Sequence, residues 1–376
     1  QHIQVLMARD LDFSDVYGLR AVHYPMLDSY NTSAAVAQPT PHTGERLVRR
    51  AMLDTYLKPI YQHLQGDVTE VAINKPGEIW TEGPSGWVRH AAPEMSYQSC
   101  MHIGQLIATY NEKDISIDRP ILSAALPDGE RVQVIIPPAC LANTVSMTIR
   151  KPSMTDKTLE ELEASGAFSK VEDANDGLRP FETDLLELKK QRHIREFLHR
   201  VVLTKRNLLI VGKTGSGKTT LTRSLIHSIP KTERLVTIED VHELFMDDVP
   251  NKVHLLYARE DEGGSKVTAK QSLASCLRMK PDRILLAELR GDEAWEFVKS
   301  INTGHPGSIS TMHANGAWET FEQLTAFIKD SRTGAHLETD DIKRRLYTTI
   351  DVVVYMDRWK VKEIFYDPEF KRAQMV

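Results

Sequence analysis

Apolar positions recur at helical spacing over Arg46–Gln65, where Leu47, Val48, Met52, Leu53, Tyr56 and Leu57 gather on one side of a 3.6-residue period. The period then shortens. Val68–Asn74 alternates, Lys75-Pro76-Gly77 turns, Glu78–Thr81 extends, and Gly83-Pro84-Ser85-Gly86 turns again. Ser96–Tyr110 returns to helical spacing. Pro127-Asp128-Gly129-Glu130 reads as a turn between the strands Ser123–Leu126 and Arg131–Ile136, with Val145–Arg150 after them. Residues 46–150 are therefore expected to form an α+β domain with mostly antiparallel strands. Residues 1–45 have weak periodicity and a Pro/Thr-rich stretch at Gln38–Thr43, and are expected to be a poorly ordered extension.

The pattern breaks after Lys151. Pro152, Gly166 and the acidic Glu160, Glu161 and Glu163 interrupt one another, so residues 151–184 read as a linker with one short helix at Thr158–Ser165. From residue 185 to 376, helical stretches alternate with short apolar runs. Leu185–Leu203 and Thr219–Ile229 are expected helices; Asn207–Val211, Leu235–Ile238, Ile284–Ala287, Ser308–Met312 and Asp351–Met356 are expected strands. Runs that are apolar without alternation suit strands buried on both faces, so this half is an α/β domain with a mostly parallel sheet.

Composition removes several classes of function. The formal net charge of −5 and the lack of a basic, aromatic-studded stripe argue against direct nucleic-acid binding. The cysteines, Cys100, Cys140 and Cys276, are scattered with no metal-ligand spacing, which suits a reducing cytosol. No apolar run approaches the ~18 residues of a membrane span, and Gln1–Asp10 carry no signal-peptide pattern.

The run Gly212-Lys213-Thr214-Gly215-Ser216-Gly217-Lys218-Thr219, followed by Thr220, meets the pattern G-x-x-x-x-G-K-[ST] between an expected strand and an expected helix. Glycines at these positions let backbone amides face anionic oxygens, and the helix presents its positive end to them. Lys218 offers a point charge to β- and γ-phosphates and the Thr219 hydroxyl a ligand to Mg²⁺. ATP is the nucleotide this pattern implies, and its hydrolysis needs a carboxylate near the metal and a group that orients water. Two acidic clusters stand at strand ends: Glu239, Asp240 and Glu243 after Leu235–Ile238, and Glu288 after Ile284–Ala287. An acidic residue after a strand is also a common helix cap, so these gain their meaning from the upstream loop. His305 and His313 frame the strand Ser308–Met312 and read as a γ-phosphate sensor or an interface contact.

In order, Gly212–Thr219, Thr237–Leu244, Leu277–Gly291 and Thr303–Ala314 resemble the Walker A, aspartate box, Walker B and histidine box of the secretion traffic ATPases. Val68–Glu78, Arg119–Arg131 and Ser146–Ser153 are similar to the type IV secretion and conjugation branch. The resemblance implies a RecA-like ATPase domain behind a smaller N-terminal domain, with nucleotide between the two. It implies a homohexamer at the cytoplasmic face of the inner membrane, touching inner-membrane components, a coupling ATPase and a second secretion ATPase while powering pilus biogenesis and conjugative transfer. By position, it implies that Lys218, Glu243, Glu288 and His313 are catalytic and that Thr219, Glu288 and Glu239 surround Mg²⁺. It also implies that Arg131 and Arg150 reach the nucleotide from the rim of the first domain. Ala287 stands where a glycine is common in the wider superfamily. The alternatives are a pilus-retraction or type II secretion motor, against which the absence of a four-cysteine insertion counts, and a nucleic-acid translocating ATPase.

Overall fold

The computed structural model describes residues 41–152, 156–171, 177–258 and 267–375. The expected disorder before residue 41 and the middle of the expected linker lie outside the described residues. The first unit is α1 (Pro41–Tyr61), β1 (Glu70–Ile73), β2 (Gly77–Gly83), β3 (Gly86–Ala92), α2 (Tyr97–Tyr110), β4 (Ile121–Ala125), β5 (Arg131–Ile135) and β6 (Ser146–Arg150). Its six strands are paired throughout in antiparallel fashion, in the order β3-β2-β1-β6-β5-β4. Leu53, Leu57 and Ile60 of α1 and Ile103 and Ile107 of α2 pack with Val71, Ile79, Val134 and Met147 in one core. The apolar stripe of α1 is wider than this core covers, and Leu47, Val48, Met52 and Tyr56 remain exposed.

The connecting stretch holds α3 (Leu159–Ala164), where Thr158 and Glu161 form a reciprocal capping box. The single helix expected over 185–203 is instead two, α4 (Pro180–Lys190) and α5 (Ile194–Leu203). Arg192 between them has φ +62, which ends the first helix. A proline at the first turn of α4 explains why that helix starts inside the expected linker.

The second unit continues with β7 (Leu208–Gly212), α6 (Lys218–Ile226), β8 (Leu235–Glu239), β9 (Lys252–Leu256), α7 (Ala269–Cys276), β10 (Arg283–Leu289), α8 (Glu293–Asn302), β11 (Ile309–Met312), α9 (Glu319–Asp330), α10 (Thr339–Thr349), β12 (Val352–Asp357), β13 (Lys360–Phe365) and α11 (Pro368–Ala373). The sheet order is β13-β12-β7-β11-β10-β8-β9, parallel except for the β12–β13 hairpin. An α/β domain with a mostly parallel sheet, preceded by a smaller α+β domain, is thus the observed fold. β9 is not legible as a strand, because Asn251 precedes it, Lys252 begins it and a buried His254 stands in its middle. Among the described residues no helix is long and apolar enough to cross a membrane.

The two units meet along the edge strand β9, where Cys140 bridges to Leu255, and at the N-terminal ends of β8 and β10. Arg234 is fully buried there. Its guanidinium donates to Asn74 Oδ1 at 2.6 Å, Asn251 Oδ1 at 2.7 Å, Met279 O at 2.9 Å and Thr148 Oγ1 at 3.3 Å, which joins both units. Lys280 donates to Glu82 at 2.6 Å, and the peptide of Leu256 to Ala139 at 2.9 Å.

Candidate nucleotide site

β7 is buried along its whole length and delivers the chain into the loop at Gly212. A Cβ at Gly212 would stand 2.2 Å from Met356 O and 2.7 Å from Ser216 Oγ, so only glycine fits against the neighbouring strand. Gly217 caps α6 with φ +99, a left-handed conformation that turns the first peptide N–H groups of the helix toward the loop's mouth. The Ser216 hydroxyl is buried and has no hydrogen-bond partner. Lys218 Nζ donates to the carbonyls of Gly212 at 2.9 Å and Lys213 at 3.0 Å. Burial lowers the pKa of this ammonium, and the nearby charge of Glu288 only partly offsets the effect. A desolvated cation ringed by the loop's own carbonyls gains from an anion that can replace them. Lys213, Thr214, Gly215 and Thr220 are exposed around this rim, and Thr219 is half-buried.

Glu288 comes from the end of β10. The β10–β11 register shifts between Leu286 and Leu289, a bulge that turns the side chain at Glu288 out of the ladder. His313 Nε2 lies 2.7 Å from Glu288 Oε1. Arg290 donates through Nε to Glu288 Oε2 at 2.7 Å and through Nη1 to Asp240 Oδ2 at 3.2 Å, which ties β10 to the loop after β8. Desolvation opposes the charge on Arg290, but Glu288 and Asp240 outweigh it and the pKa is raised. No role was expected of Arg290. The available signal was its position two residues after Glu288, which on a strand puts both on one face.

Glu243 has an exposed side chain, and its peptide is fixed from behind. Glu239 Oε2 accepts the N–H groups of Glu243 and Leu244, each at 2.8 Å. Glu239 Oε1 accepts Thr237 Oγ1 at 2.5 Å and lies 3.2 Å from His254 Nδ1 and 3.4 Å from His242 Nδ1. Burial alone would raise the Glu239 carboxyl, yet hydrogen bonds from His254, Thr237 and the two peptides hold it down at about 2. Glu239, His242 and His254 bring ligand-type atoms within 4.8 Å of one another. Both carboxylate oxygens are nonetheless taken by protein donors. This corrects the expectation that Glu239 borders the Mg²⁺: it is fully buried and positions Glu243. The oxygen donors left for a hard cation are the Thr219 hydroxyl and Glu288 Oε1, which lies beside His313 but accepts no hydrogen bond.

Two further expectations change. His305 and His313 stand at opposite ends of β11, and only His313 joins Glu288; His305 Nδ1 contacts Pro281 O at 3.0 Å. Arg131 and Arg150 lie across the β1, β6 and β5 row, where Glu70 is paired with Arg150 and Arg150 with Arg131. Arg150 Nε is 3.4 Å from Glu70 Oε1. Both arginines line a cavity of about 890 Å³ with Lys151 and Lys280. Lys280 precedes β10 whereas Glu288 is its penultimate residue, and six steps of ~3.3 Å separate the strand's ends by roughly 20 Å. Within one chain, these arginines therefore do not reach the phosphate loop.

A family model described as "Type II/IV secretion system protein" matches residues 57–355. The type IV secretion system protein VirB11 of Brucella suis biovar 1 is 44% identical over 335 residues, covering 86% of this chain and 93% of that one. The PtlH protein of Bordetella pertussis is 38% identical over 312 residues, covering 82% of this chain and 91% of its own. The crystal structure of the Brucella suis VirB11 ATPase in complex with sulphate superposes with a TM-score of 0.83 at 43% identity, over 88% of this chain and 99% of that one. With the loop, the bulged carboxylate strand and the two-sheet architecture in place, the chain belongs to the type II/IV secretion system family, among its type IV secretion ATPases.

Proposed function

We propose that this P-loop ATPase hydrolyses Mg-ATP as a homohexameric ring. Residues 46–150 form its N-terminal domain, 151–184 the linker and 185–376 the motor. The observation that carries the reading is the desolvated Lys218 held by the loop's own carbonyls, with the charge of Glu288 near enough to act on it. Lys218 and the peptide N–H groups of Gly212–Thr220 hold the phosphates. Thr219 and Glu288 would hold the Mg²⁺, whose charge would be supplied to the phosphate oxygens there. Glu243, set by Glu239, takes the proton of the attacking water. His313 and Arg290 keep Glu288 oriented.

Since Arg131 and Arg150 stand at the far end of their own chain's sheet, their contact with nucleotide is proposed to be made on a neighbouring subunit. The ring would sit at the cytoplasmic face of an inner membrane, against inner-membrane components and the companion ATPases of a type IV secretion machine, and drive pilus biogenesis and conjugative substrate transfer. Phosphate release with and without Mg²⁺, beside the mass of the particle in solution, tests the core of this reading. Metal-dependent turnover by a six-subunit particle is expected. Turnover unaffected by chelation, or by a monomer at high concentration, would overturn it.

A further inference from the structure

β12 and β13 are joined by a two-residue turn, Arg358–Trp359, with Asp357 paired to Lys360. Both turn residues have positive φ, +47 and +64. This is the backbone of a type I′ turn, which Asn-Gly fills without strain and a bulky aromatic does not. Strained positions of this kind concentrate where a side chain has work to do. The turn is anchored on the phosphate loop: Trp359 N donates to Ser216 O at 3.0 Å. A Cβ at Gly217 would stand 3.1 Å from Trp359 Cε3, so the indole lies against the loop at the cap of α6. Trp359 is nevertheless 67% exposed, which leaves much of the ring open to solvent.

The position of the turn relative to the carboxylates gives it a meaning. β7 has β11 and β10 on one side and β12 on the other. Glu288 and His313 end strands on the first side; Trp359 follows the strand on the second. A nucleoside triphosphate seated on the loop with its terminal phosphate toward Glu288 has the β12 side open to the rest of the nucleotide, where a base would meet the indole. We propose that Trp359 is the base platform of this site, stacking on the purine of the bound nucleotide. Stacking suits a residue with an exposed π-face, and it tolerates different bases. The proposal rests on the nucleotide reading above, yet it separates from that reading, because the phosphates are held by Lys218 and peptides while the base is held by Trp359.

The test uses the full chain and two probes, Mg-ADP and inorganic tripolyphosphate, titrated by calorimetry. Trp359→Gly relieves the positive-φ strain, so folding is not at risk, and Trp359→Phe keeps a π-face. Trp359→Gly should weaken Mg-ADP about tenfold, within the range measured for base–aromatic stacking, and leave tripolyphosphate within about twofold. Trp359→Phe should recover most of the ADP affinity. An unchanged ADP affinity in Trp359→Gly, or an equal loss for tripolyphosphate, would return the indole to a role in holding the loop. A parent chain that binds neither probe would instead remove the nucleotide reading itself, and this proposal with it.

Discussion

The two ends of the parallel sheet hold comparable clusters of charge and treat them in opposite ways. At the N-terminal end, Arg234 and Arg283 are fully buried and saturated. Arg283 is held bidentately by Glu233 at 2.7 and 3.0 Å and also donates to Val202 O at 2.8 Å. At the C-terminal end, Lys218 has only carbonyls for partners, the Ser216 hydroxyl has none, and Glu243 and His313 face solvent. Saturated buried charge fixes geometry, because every alternative arrangement leaves a desolvated group unpaired. Under-satisfied charge at a mouth is ready to exchange its partners for a ligand. The N-terminal end therefore fixes the geometry of the domain contact made there, and the C-terminal end is left available for chemistry.

The largest expected effect is at the open end. Lys218→Ala should reduce ATP turnover to background, because the phosphates lose the one cation the loop holds in a desolvated position; steady-state phosphate release is the check, and near-parental rates would remove the site from consideration. Next, Glu243→Gln should slow hydrolysis ~10²–10⁴-fold while nucleotide still binds, as loss of a general base does. Glu288→Gln should shift the Mg²⁺ dependence instead. Mg²⁺ titration of both variants would expose a reversal of the two roles.

The closed end should answer in stability. Arg234→Met leaves Asn74 Oδ1 and Met279 O without their donor, whereas Asn251 Oδ1 keeps Asn74 Nδ2, at about 1–3 kcal/mol for each buried group left unmet. Denaturant unfolding should show a loss of about 2 kcal/mol or more, or a transition split in two as the domains uncouple. A parental midpoint would mean that the saturated network does not hold the domains.

How much of this contrast the chain declares in advance depends on which end is considered. The loop, the carboxylate strands and their order are legible because phosphate chemistry restricts residue type and spacing at once: Gly212, Gly217, Lys218 and Glu288 could each be named. The closed end is not legible, since a lone Arg234 or Asn251 in a sequence looks like a surface residue and only the fold supplies its partners. Motifs also mix the two kinds of residue. Gly307 stands in the histidine box beside His313, but a Cβ there would come within 2.7 Å of Arg283 Nη1, so that glycine serves the closed end. Glu239 was misassigned for the same reason: its place after a strand says carboxylate near the site, and only its hydrogen bonds say that it supports Glu243. The break at Arg192 and the strand β9 were missed because their cause is backbone conformation and tertiary pairing rather than periodicity.

The smallest expected effect concerns an exception at the closed end. Glu70 is buried beside the domain junction, and its Oε2 has no hydrogen-bond partner although Arg150 stands 3.4 Å from Oε1. Burial pushes its carboxyl up to about 7; Arg150, Lys280 and Arg234 pull it down, and Glu82 adds to the rise. An unfolded glutamate titrates near ~4.3. Between these two values the folded chain holds a proton that the unfolded chain has released, so stability falls as pH rises through that window. Below the window the group costs nothing; above it the penalty is complete and constant. Glu70→Gln, which cannot ionise, should therefore be more stable than the parent at pH 8, by on the order of 1–3 kcal/mol, and lose that advantage by pH 4. Paired denaturant melts at the two pH values read this directly. An advantage of equal size at both would show that the gain comes from packing, and a loss at pH 8 would show that the ionised carboxylate is satisfied by Arg150.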